Sequence, residues 1–431
     1  MLPEKLKNQI YLQRYAYPFE LLKKEPVSDH LEMVVTIPCF NESNLIESLD
    51  SLYHCQKPIC DVEVIVLINQ SENVETEIHN KNEETFREAT IWAKIHETKS
   101  MKFFIIWIKN LPGKYAGVGL ARKIVMDESV RRFKKTGNPN GIIIGFDADS
   151  TCQDNFLVCI EKDFHKYNLN GGSINFEHPL TGFQDHRLFE GITSYELHLR
   201  YYIMAQKYAG FPYAFHTLGS SMAVRSHVYE KQGGMNKRKA GEDFYFLHKI
   251  IPLGNYKEIN ETKVIPSPRI SFRVPFGTGK AMLNWMAKTN TDFLTYHPEI
   301  FEELKLLFIQ VPDLYQYTSD KLTKFVKSLP DNIRIFLLNE NFEKKITDFI
   351  NHSSSSSTFY DKFFRWFNGL KLLQFVNFAT GNSYQKVSIK EGITWLYTKY
   401  PIEKPLEDDA KELLKNIRAF NKNNPSSYFK S

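Results

Sequence analysis

The fold of this chain is decided by the stretch Gly141-Ile-Ile-Ile-Gly-Phe-Asp147-Ala-Asp149-Ser150. Three consecutive isoleucines after a turn-prone Asn-Pro-Asn segment predict a short buried strand. The strand ends in two carboxylates separated by one residue, and ligands of open α/β sheets bind at the carboxyl ends of the strands. Two adjacent carboxylates repel unless a cation or solvent separates them. The stretch therefore predicts either a site for a divalent cation and a diphosphate or a solvated Asp-rich turn, and by itself it favours neither.

Apolar runs alternate with segments of helical spacing on both sides of this stretch. The other predicted strands are residues 33–38, 62–68, 103–108, 172–176 and 217–225. The predicted helices of this region include about 74–98 and one that opens near residue 113 and ends near residue 134. Strands that alternate with helices over more than 100 residues are typical of the α/β class. We therefore expect a doubly wound, mostly parallel sheet.

The composition changes after about residue 281, where amphipathic helices replace the strand–helix alternation. We expect three regions: a helical lead-in (1–30), the α/β domain (31–280) and a C-terminal helical domain (281–431). The run Ser353–Ser357 predicts a low-complexity linker within the last region. Residues 361–378 predict a helix that is apolar around much of its circumference. Such a helix suits the inside of a helical domain, which we favour, or a peripheral contact with a membrane interface.

Composition excludes some classes of protein. The 431 residues are 42% hydrophobic and 24% charged, which is ordinary for globular chains. The formal charge of +5 is spread along the chain, so we expect a phosphorylated small-molecule partner and no nucleic acid. Five cysteines without a Cys-x-x-Cys pair suit a reduced compartment. Because no apolar run approaches the roughly 20 residues of a membrane span, we expect a cytoplasmic protein, at most peripheral at the inner face of the membrane.

Four polar features are expected at strand or loop ends along one edge of the sheet. They are Pro38 to Glu42, Asn69, the pair Asp147 and Asp149, and the pair Glu242 and Asp243. In order and spacing, residues 31–280 resemble the non-processive family 2 glycosyltransferases of GT-A fold. The segment Val35-Thr-Ile-Pro-Cys-Phe-Asn-Glu42 is similar to that family's first strand and Pro-x-x-Asn-Glu turn. Phe146-Asp-Ala-Asp149 is similar to its Asp-x-Asp motif, and Gly241-Glu-Asp243 to its later acidic pair.

The resemblance implies an inverting, metal-dependent transfer of a sugar from a UDP-sugar or another nucleotide-diphosphate sugar. The acceptor would be a carbohydrate or lipid-linked hydroxyl in glycan or glycolipid synthesis. Asp149 and Asp147 would hold Mg²⁺ or Mn²⁺, which offsets the charge that develops on the diphosphate. Asp243 would be the catalytic base and Glu242 would orient the acceptor or the base, with the reverse assignment left open. The resemblance further implies a set of nucleotide-sugar-binding residues, namely Pro38, Phe40, Glu42, Asn69, Arg122 and Asp147.

The chain departs from the family pattern at two places. Asn69 stands where the family usually has an Asp that contacts the nucleotide base, and an amide changes the donor and acceptor pattern. The Gln-x-x-Arg-Trp motif of processive synthases is absent. Arg269 and Arg273 lie in a different context and would either clamp a phosphate or remain ordinary loop arginines. Of the histidines, none of which is assigned as a ligand, His216 is the best placed for a third metal ligand.

Two other functions stay open from the sequence. A nucleotidyltransferase also combines a nucleotide-binding sheet with an acidic metal pair. It would usually carry a Gly-rich loop with Lys or Arg after the first strand, and Pro38-Cys-Phe-Asn-Glu42 lacks such a loop. A catalytically inactive GT-A-like subunit for sugar binding or scaffolding is favoured by Asn69 and opposed by the presence of both acidic pairs.

Overall fold

The computed structural model describes residues 10–182, 185–271, 277–287, 292–405 and 409–430. The chain forms two compact units. Unit 1 comprises residues 1–181, 217–280 and 422–431, and unit 2 comprises residues 182–216 and 281–421. The segment 182–216, which the sequence placed in the α/β domain, thus groups with the C-terminal helices.

The strands, in chain order, are β1 (Leu31–Cys39), β2 (Asp61–Ser71), β3 (Met101–Leu111), β4 (Ile142–Gly145), β5 (Thr151–Cys152), β6 (Gly171–Phe176), β7 (Met222–Arg225), β8 (Tyr256–Ile265), β9 (Leu294–Thr295), β10 (Val387–Ser388) and β11 (Ser427–Tyr428). Strands β9 and β10 form a small antiparallel pair in unit 2, and the others form one nine-stranded sheet in unit 1.

The helices of unit 1 are α1 (Leu45–Tyr53), α2 (Thr76–His96), α3 (Val118–Lys135) and α4 (Phe156–Lys166), followed after α5 (His186–Tyr208) of unit 2 by α6 (Ser226–Lys231) and α7 (Glu242–Ile250). The later helices are α8 (Thr278–Met286), α9 (Glu299–Phe308), α10 (Val311–Leu314), α11 (Ser319–Ser328), α12 (Asp331–Asn339), α13 (Phe342–Asn351), α14 (Ser356–Trp366), α15 (Gly369–Asn382), α16 (Ile389–Lys399) and α17 (Ala410–Asn423).

The sheet of unit 1 has the strand order β11-β8-β6-β7-β4-β1-β2-β3, and β5 pairs with β8. The pairs β1–β2, β2–β3, β1–β4 and β6–β8 are parallel, whereas β7 runs antiparallel to both of its neighbours. The prediction of a mixed α/β fold with a mostly parallel central sheet and C-terminal helices is confirmed. Because β1 lies between β2 and β4, the strand order reverses at β1, which is where open α/β sheets bind ligands.

Strands β1 and β4 are buried on both faces, as the run of β-branched residues predicted. Ile142, Ile143 and Ile144 have no exposed surface, and Val34 pairs with Ile143 across the parallel ladder. The register sets Thr36 opposite Gly145. The residues that follow the two strands therefore leave the sheet at the same edge, and this edge carries Glu42 and the Asp147–Asp149 turn.

The N-terminal segment is held by buried charged residues of α3. Asp127 accepts hydrogen bonds from the Tyr11 hydroxyl (2.6 Å) and from the Tyr17 amide (2.7 Å). Glu128 accepts one from the Leu22 amide at 3.0 Å. Of the described part of the predicted helical lead-in, only residues 10–14 are helical. The prediction of helix was wrong for the rest, where the amides of Tyr17, Leu21 and Leu22 bond to carboxylates of α3 instead of to a preceding turn.

The long apolar helix predicted over residues 361–378 is two helices, α14 and α15. Asn368 ends the first and caps the second, since its side chain accepts from the Leu370 amide at 3.0 Å. Phe363, Phe364 and Phe375 have no exposed surface, so the apolar side chains form the core of unit 2. No helix of the described residues is both long and apolar enough to cross a membrane.

The serine run 353–357 lies inside unit 2 and opens a helix. Ser355 caps α14 by accepting a hydrogen bond from the Thr358 amide at 3.2 Å, and the helix begins at Ser356. Serine is a preferred N-cap residue because its hydroxyl satisfies an unpaired amide of the first turn. The run is therefore a short connection and helix start between α13 and α14, and the interpretation as a linker missed the capping role.

Candidate functional site

The two predicted metal ligands lie in the turn that follows β4. The amide of Ser150 bonds to the carbonyl of Asp147 at 3.1 Å, and the Ser48 hydroxyl of α1 bonds to the carbonyl of Ala148 at 2.9 Å. The side chain of Asp147 is 39% exposed and that of Asp149 is 24% exposed. The turn thus presents both carboxylates at the edge of the sheet, while the hydrogen bonds from Ser150 and Ser48 hold its backbone in place.

Arg122 of α3 connects three segments at this edge. Its guanidinium donates to Asp147 at 2.8 Å, to Glu242 at 3.2 Å and to the carbonyl of Gly219 at 2.8 Å. The side chain is only 2% exposed, and a buried guanidinium needs this many acceptors to offset its lost hydration. Every nitrogen of the fork already has a protein partner. Arg122 therefore fixes Asp147 and Glu242 relative to each other.

Two glycines allow this close packing. A Cβ atom at Gly219 would lie 2.6 Å from a guanidinium nitrogen of Arg122. A Cβ atom at Gly119 would lie 2.0 Å from the carbonyl oxygen of Arg238. Both distances are far below van der Waals contact, so only glycine fits without displacing a neighbour. The small residues at the start of α3 thus let the segment that precedes α7 approach the helix.

Arg269 forms a second bridge, on the other side of the Asp147–Asp149 turn. One guanidinium nitrogen lies 2.6 Å from Glu42, and the other bonds both to Glu42 and to Asp149, the latter at 2.7 Å. Glu42 is only 1% exposed, and it also accepts from the Asn44 amide at 3.0 Å. Arg269 is thus the counter-ion of one carboxylate from the β1 end and one from the β4 end.

The second acidic pair opens α7. Gly241 precedes it with φ of 69°, a left-handed conformation that glycine adopts without strain. Asp243 accepts hydrogen bonds from the amides of Gly219 (2.8 Å) and Phe244 (2.7 Å). Glu242 is buried against Arg122, while Asp243 is partly exposed. Of the two acids, Asp243 is the one that a solvent-borne acceptor can reach.

Burial changes the proton affinity of these carboxylates. Burial, reinforced by the neighbouring charge of Asp147, raises the pKa of Asp149 to about 7. Burial raises the pKa of Glu242 to about 7, against the opposing effect of Arg122. Burial also raises the pKa of Asp243 above the usual value. The loss of hydration thus disfavours the charged forms of these carboxylates, and a bound cation would favour them.

The donor atoms of the site suit a hard divalent cation. Carboxylate oxygens are the ligands that Mg²⁺ and Mn²⁺ prefer, and such ions usually complete their coordination with water and phosphate. The carboxylates around Arg122 and Arg269 outnumber the two guanidiniums; they are Glu42, Asp147, Asp149, Glu242 and Asp243. Asp147 and Asp149 therefore fit a metal held partly by substrate.

A different group of potential metal ligands has ligand atoms that lie close to one another. Among the described residues, the one group whose three ligand atoms lie within 4.8 Å of one another is Glu32, Cys60 and Glu161. Glu32 and Cys60 lie at the starts of β1 and β2, at the opposite edge of the sheet from Asp147 and Asp149. Glu161 accepts the amide of Cys60 at 2.9 Å and the amide of Ile59 at 3.1 Å. This group is thus accounted for by protein hydrogen bonds.

The end of β2 carries a polar network that the sequence did not predict. Asn69 is 4% exposed and lies within β2, two residues before its end. Gln70, on the opposite face, bonds to His79 at 3.0 Å and to Asn82 at 3.1 Å. Asn82 in turn accepts from the Asn41 amide at 2.9 Å. The network ties the turn after β1 to α2, which a local pattern of residues does not reveal.

The structure brings six of the residues named from the sequence close to one another. It joins Glu42, Arg122, Asp147, Asp149, Glu242 and Asp243 through direct bonds and two arginine bridges. Pro38 and Phe40 are half-buried at the end of β1, and Asn69 is buried in β2. Gly219, Gln70 and Asn82 were missed, and only the Gly-Ser-Ser segment at residues 219–221 offered a signal. Arg273 lies outside the described residues.

His216 falls in a different unit of the chain from the predicted metal ligands. It lies in unit 2, where burial and the nearby charges of Arg200 and Lys207 hold its pKa well below the usual value. The sequence suggested it only because it precedes the Gly219 segment.

The comparisons with known proteins found weak structural similarity and no sequence match. No family model matches the sequence, and no curated protein matches it. Residues 1–349 of S. aureus TarS in complex with UDP-GlcNAc align with 78% of this chain and 91% of that chain, at 10% identity and a TM-score of 0.38. The mannosyltransferase PcManGT from Pyrobaculum calidifontis, in complex with GDP-Man and Mn²⁺, aligns over 97% and 95%, at 12% identity and a TM-score of 0.35. TM-scores this low carry no argument about function.

Proposed function

We propose that this chain is a nucleotide-sugar-dependent glycosyltransferase that resembles the inverting family 2 enzymes of GT-A fold. One observation carries the proposal. Arg122 joins the Asp147–Asp149 turn to the start of α7, so that one member of each acidic pair bonds to the same guanidinium beyond the end of β4. A carboxylate pair for a cation and diphosphate beside a carboxylate for a proton is what glycosyl transfer requires.

The donor side of the proposed site is formed by the ends of β1 and β4. Asp149 and Asp147 would hold Mg²⁺ or Mn²⁺, and the metal would neutralise the diphosphate as it leaves. Pro38, Phe40, Glu42 and the buried Asn69 would shape the nucleotide pocket from the ends of β1 and β2. Arg122 would act as a positioning residue, because its guanidinium is already bonded to Asp147, Glu242 and the carbonyl of Gly219.

The acceptor side of the proposed site is formed by α7. The acceptor would be a hydroxyl of a carbohydrate or of a lipid-linked sugar. Asp243 would take the hydroxyl proton on a carboxylate oxygen while the acceptor oxygen bonds to the anomeric carbon. The bond from that carbon to the diphosphate breaks on the opposite face, which inverts the configuration. The raised pKa of Asp243 strengthens it as a base near neutral pH.

Calorimetry with UDP and GDP, with and without Mn²⁺, tests the donor site. We expect metal-dependent binding of one nucleotide, and we expect Asp149→Ala to abolish the metal-dependent part. Asp154→Ala is the matched control, because Asp154 is an exposed aspartate of the same loop region. Nucleotide binding that is equal with and without Mn²⁺, and equal in the wild type and Asp149→Ala, would contradict the metal assignment. A screen of nucleotide sugars for hydrolysis would then identify the donor.

A further inference from the structure

Arg269 occupies the place where a cation would contact Asp149. Its guanidinium lies 2.7 Å from one oxygen of that carboxylate, and it also makes a two-nitrogen fork with Glu42. Arg269 thereby connects the segment that follows β1 with the turn that follows β4. Glu42 is 1% exposed, whereas the Arg269 side chain is 28% exposed. The arginine thus covers the acidic residues from the solvent side.

A metal ion and this guanidinium compete for the same oxygen of Asp149. Two like charges a few ångströms apart repel strongly when they are shielded from water. A divalent ion that binds this oxygen therefore weakens or displaces its contact with Arg269. The displaced guanidinium would still be held near the site by its fork with Glu42.

The proposed substrate offers Arg269 a new partner. A diphosphate carries oxygens that match the guanidinium fork. The Nε atom of Arg269 has no hydrogen-bond partner among the described residues, so one buried donor is already available. A diphosphate bound through the metal would accept the donors that Asp149 releases.

Resting on the function proposed above, we propose that Arg269 is the resident counter-ion of Asp149, that it competes with the divalent metal, and that it passes to the donor diphosphate when metal and donor bind together. The metal alone then binds weakly, because it must break the ion pair. Metal and nucleotide diphosphate strengthen each other's binding, because the diphosphate gives the displaced arginine a new acceptor. Arg269 thereby makes metal binding depend on the donor.

A purely structural role for Arg269 makes a different prediction. If the residue serves only to neutralise Glu42, its removal lowers the stability of unit 1 and leaves the affinity for a metal ion unchanged or weaker. Competition predicts the opposite change in affinity. The sign of the effect on metal binding therefore separates the two roles.

The test is a titration of the nucleotide-free protein with Mn²⁺, followed by electron paramagnetic resonance of the free ion. Competition predicts that Arg269→Gln binds Mn²⁺ about tenfold more tightly than the wild type, since a competing charge is removed. Arg269→Lys keeps the charge and should stay near the wild-type affinity. Arg87→Gln is the control, because it removes an arginine of α2 on the surface of the same unit. Thermal unfolding of each variant shows that it is folded.

The possible outcomes separate this proposal from the proposed function. An affinity of Arg269→Gln equal to or weaker than that of the wild type overturns the competition. A second titration, with UDP or GDP at saturating Mn²⁺, should show that nucleotide increases the metal affinity of the wild type more than that of Arg269→Gln. If no variant binds Mn²⁺, the competition and the metal role both fail. Nucleotide binding measured without metal then decides the donor site separately.

Discussion

Arg122 is the residue on which the proposed site depends most. It is 2% exposed and bonds to two carboxylates and one carbonyl from three segments. We expect Arg122→Met to lower the free energy of unfolding by about 3–5 kcal/mol, because buried Glu242 loses its counter-ion. Denaturation by urea measures the loss. Arg87→Met, at a surface position, should stay within about 0.5 kcal/mol of the wild type.

Gly219 gives a sharper test of the same arrangement. A methyl group at this position would lie 2.6 Å from Arg122 and would push the guanidinium away from Asp147. We expect Gly219→Ala to lower the unfolding free energy by about 1–3 kcal/mol and to weaken nucleotide binding. Gly113→Ala is the control, because a Cβ atom at Gly113 would meet no other atom within 4 Å. Wild-type nucleotide affinity in Gly219→Ala would show that Arg122 need not hold Asp147.

Asp243 sets the expected pH dependence of transfer. A base works only when it is deprotonated, and burial raises the pKa of Asp243 above its usual value. Activity should therefore fall as the pH decreases, starting nearer to neutral pH than an ordinary aspartate would allow. The profile of kcat/KM against pH measures this limb. Asp243→Asn should keep donor binding and lose about 10²–10⁴-fold in transfer; an unchanged rate would place the base elsewhere.

At the level of single elements, helix caps decide boundaries that hydrophobicity leaves open. The side chain of Asn368 accepts from the amides of Leu370 and Lys371, and this cap separates α14 from α15. We expect Asn368→Ala to lower the stability of unit 2 by about 1 kcal/mol. Thermal unfolding measures it. Ser357→Ala, at an exposed position of α14, is the control and should have little effect.

The carboxyl ends of β1 and β4 lie together because the two strands are parallel neighbours. Their register places Thr36 opposite Gly145, and the next residues of both strands leave the sheet side by side. Helix α3 begins after β3 at the same edge, and Arg122 lies near its start. The elements thus place residues from distant parts of the sequence at one site before any side chain contributes.

At the level of the whole molecule, two partly buried histidines should make the protein sensitive to acid. Burial lowers the pKa of His198 in unit 2 and of His248 in unit 1 to about 4, against 6.5 in an unfolded chain. The unfolded chain therefore takes up protons first, and stability is lost as the pH falls from 6.5 towards 4. We expect each histidine to contribute on the order of 1–3 kcal/mol to this loss.

Urea denaturation at about pH 7.5 and about pH 5, on either side of the unfolded-chain pKa, measures the loss of stability. His248→Phe should reduce the difference between the two pH values, because the Nδ1 atom of His248 has no hydrogen-bond partner among the described residues. His54→Phe, at an exposed position, is the control. Equal pH sensitivity in His248→Phe and the wild type would show that His248 remains neutral in both states or charges without cost.

The sequence alone determined several strands of the sheet and the residue types of the proposed site. Apolar runs predicted β1, β2, β3, β4 and β6, because a buried strand must be apolar over its own length. Acids after β4 and at the start of α7 predicted a cation and a base, because their residue types carry that chemistry. Strand β8 was not predicted, since buried Glu258 and Asn260 interrupt its apolar pattern and find partners only in the folded chain.

Only the tertiary structure decided which side chains meet. It placed β7 antiparallel between β4 and β6, assigned residues 182–216 to unit 2, and gave Glu42 a partner 227 residues away in Arg269. A periodic pattern of apolar residues indicates which face of an element is buried, because the whole pattern lies within that element. The partner of a charged side chain depends instead on how distant segments pack, and neither segment records that by itself.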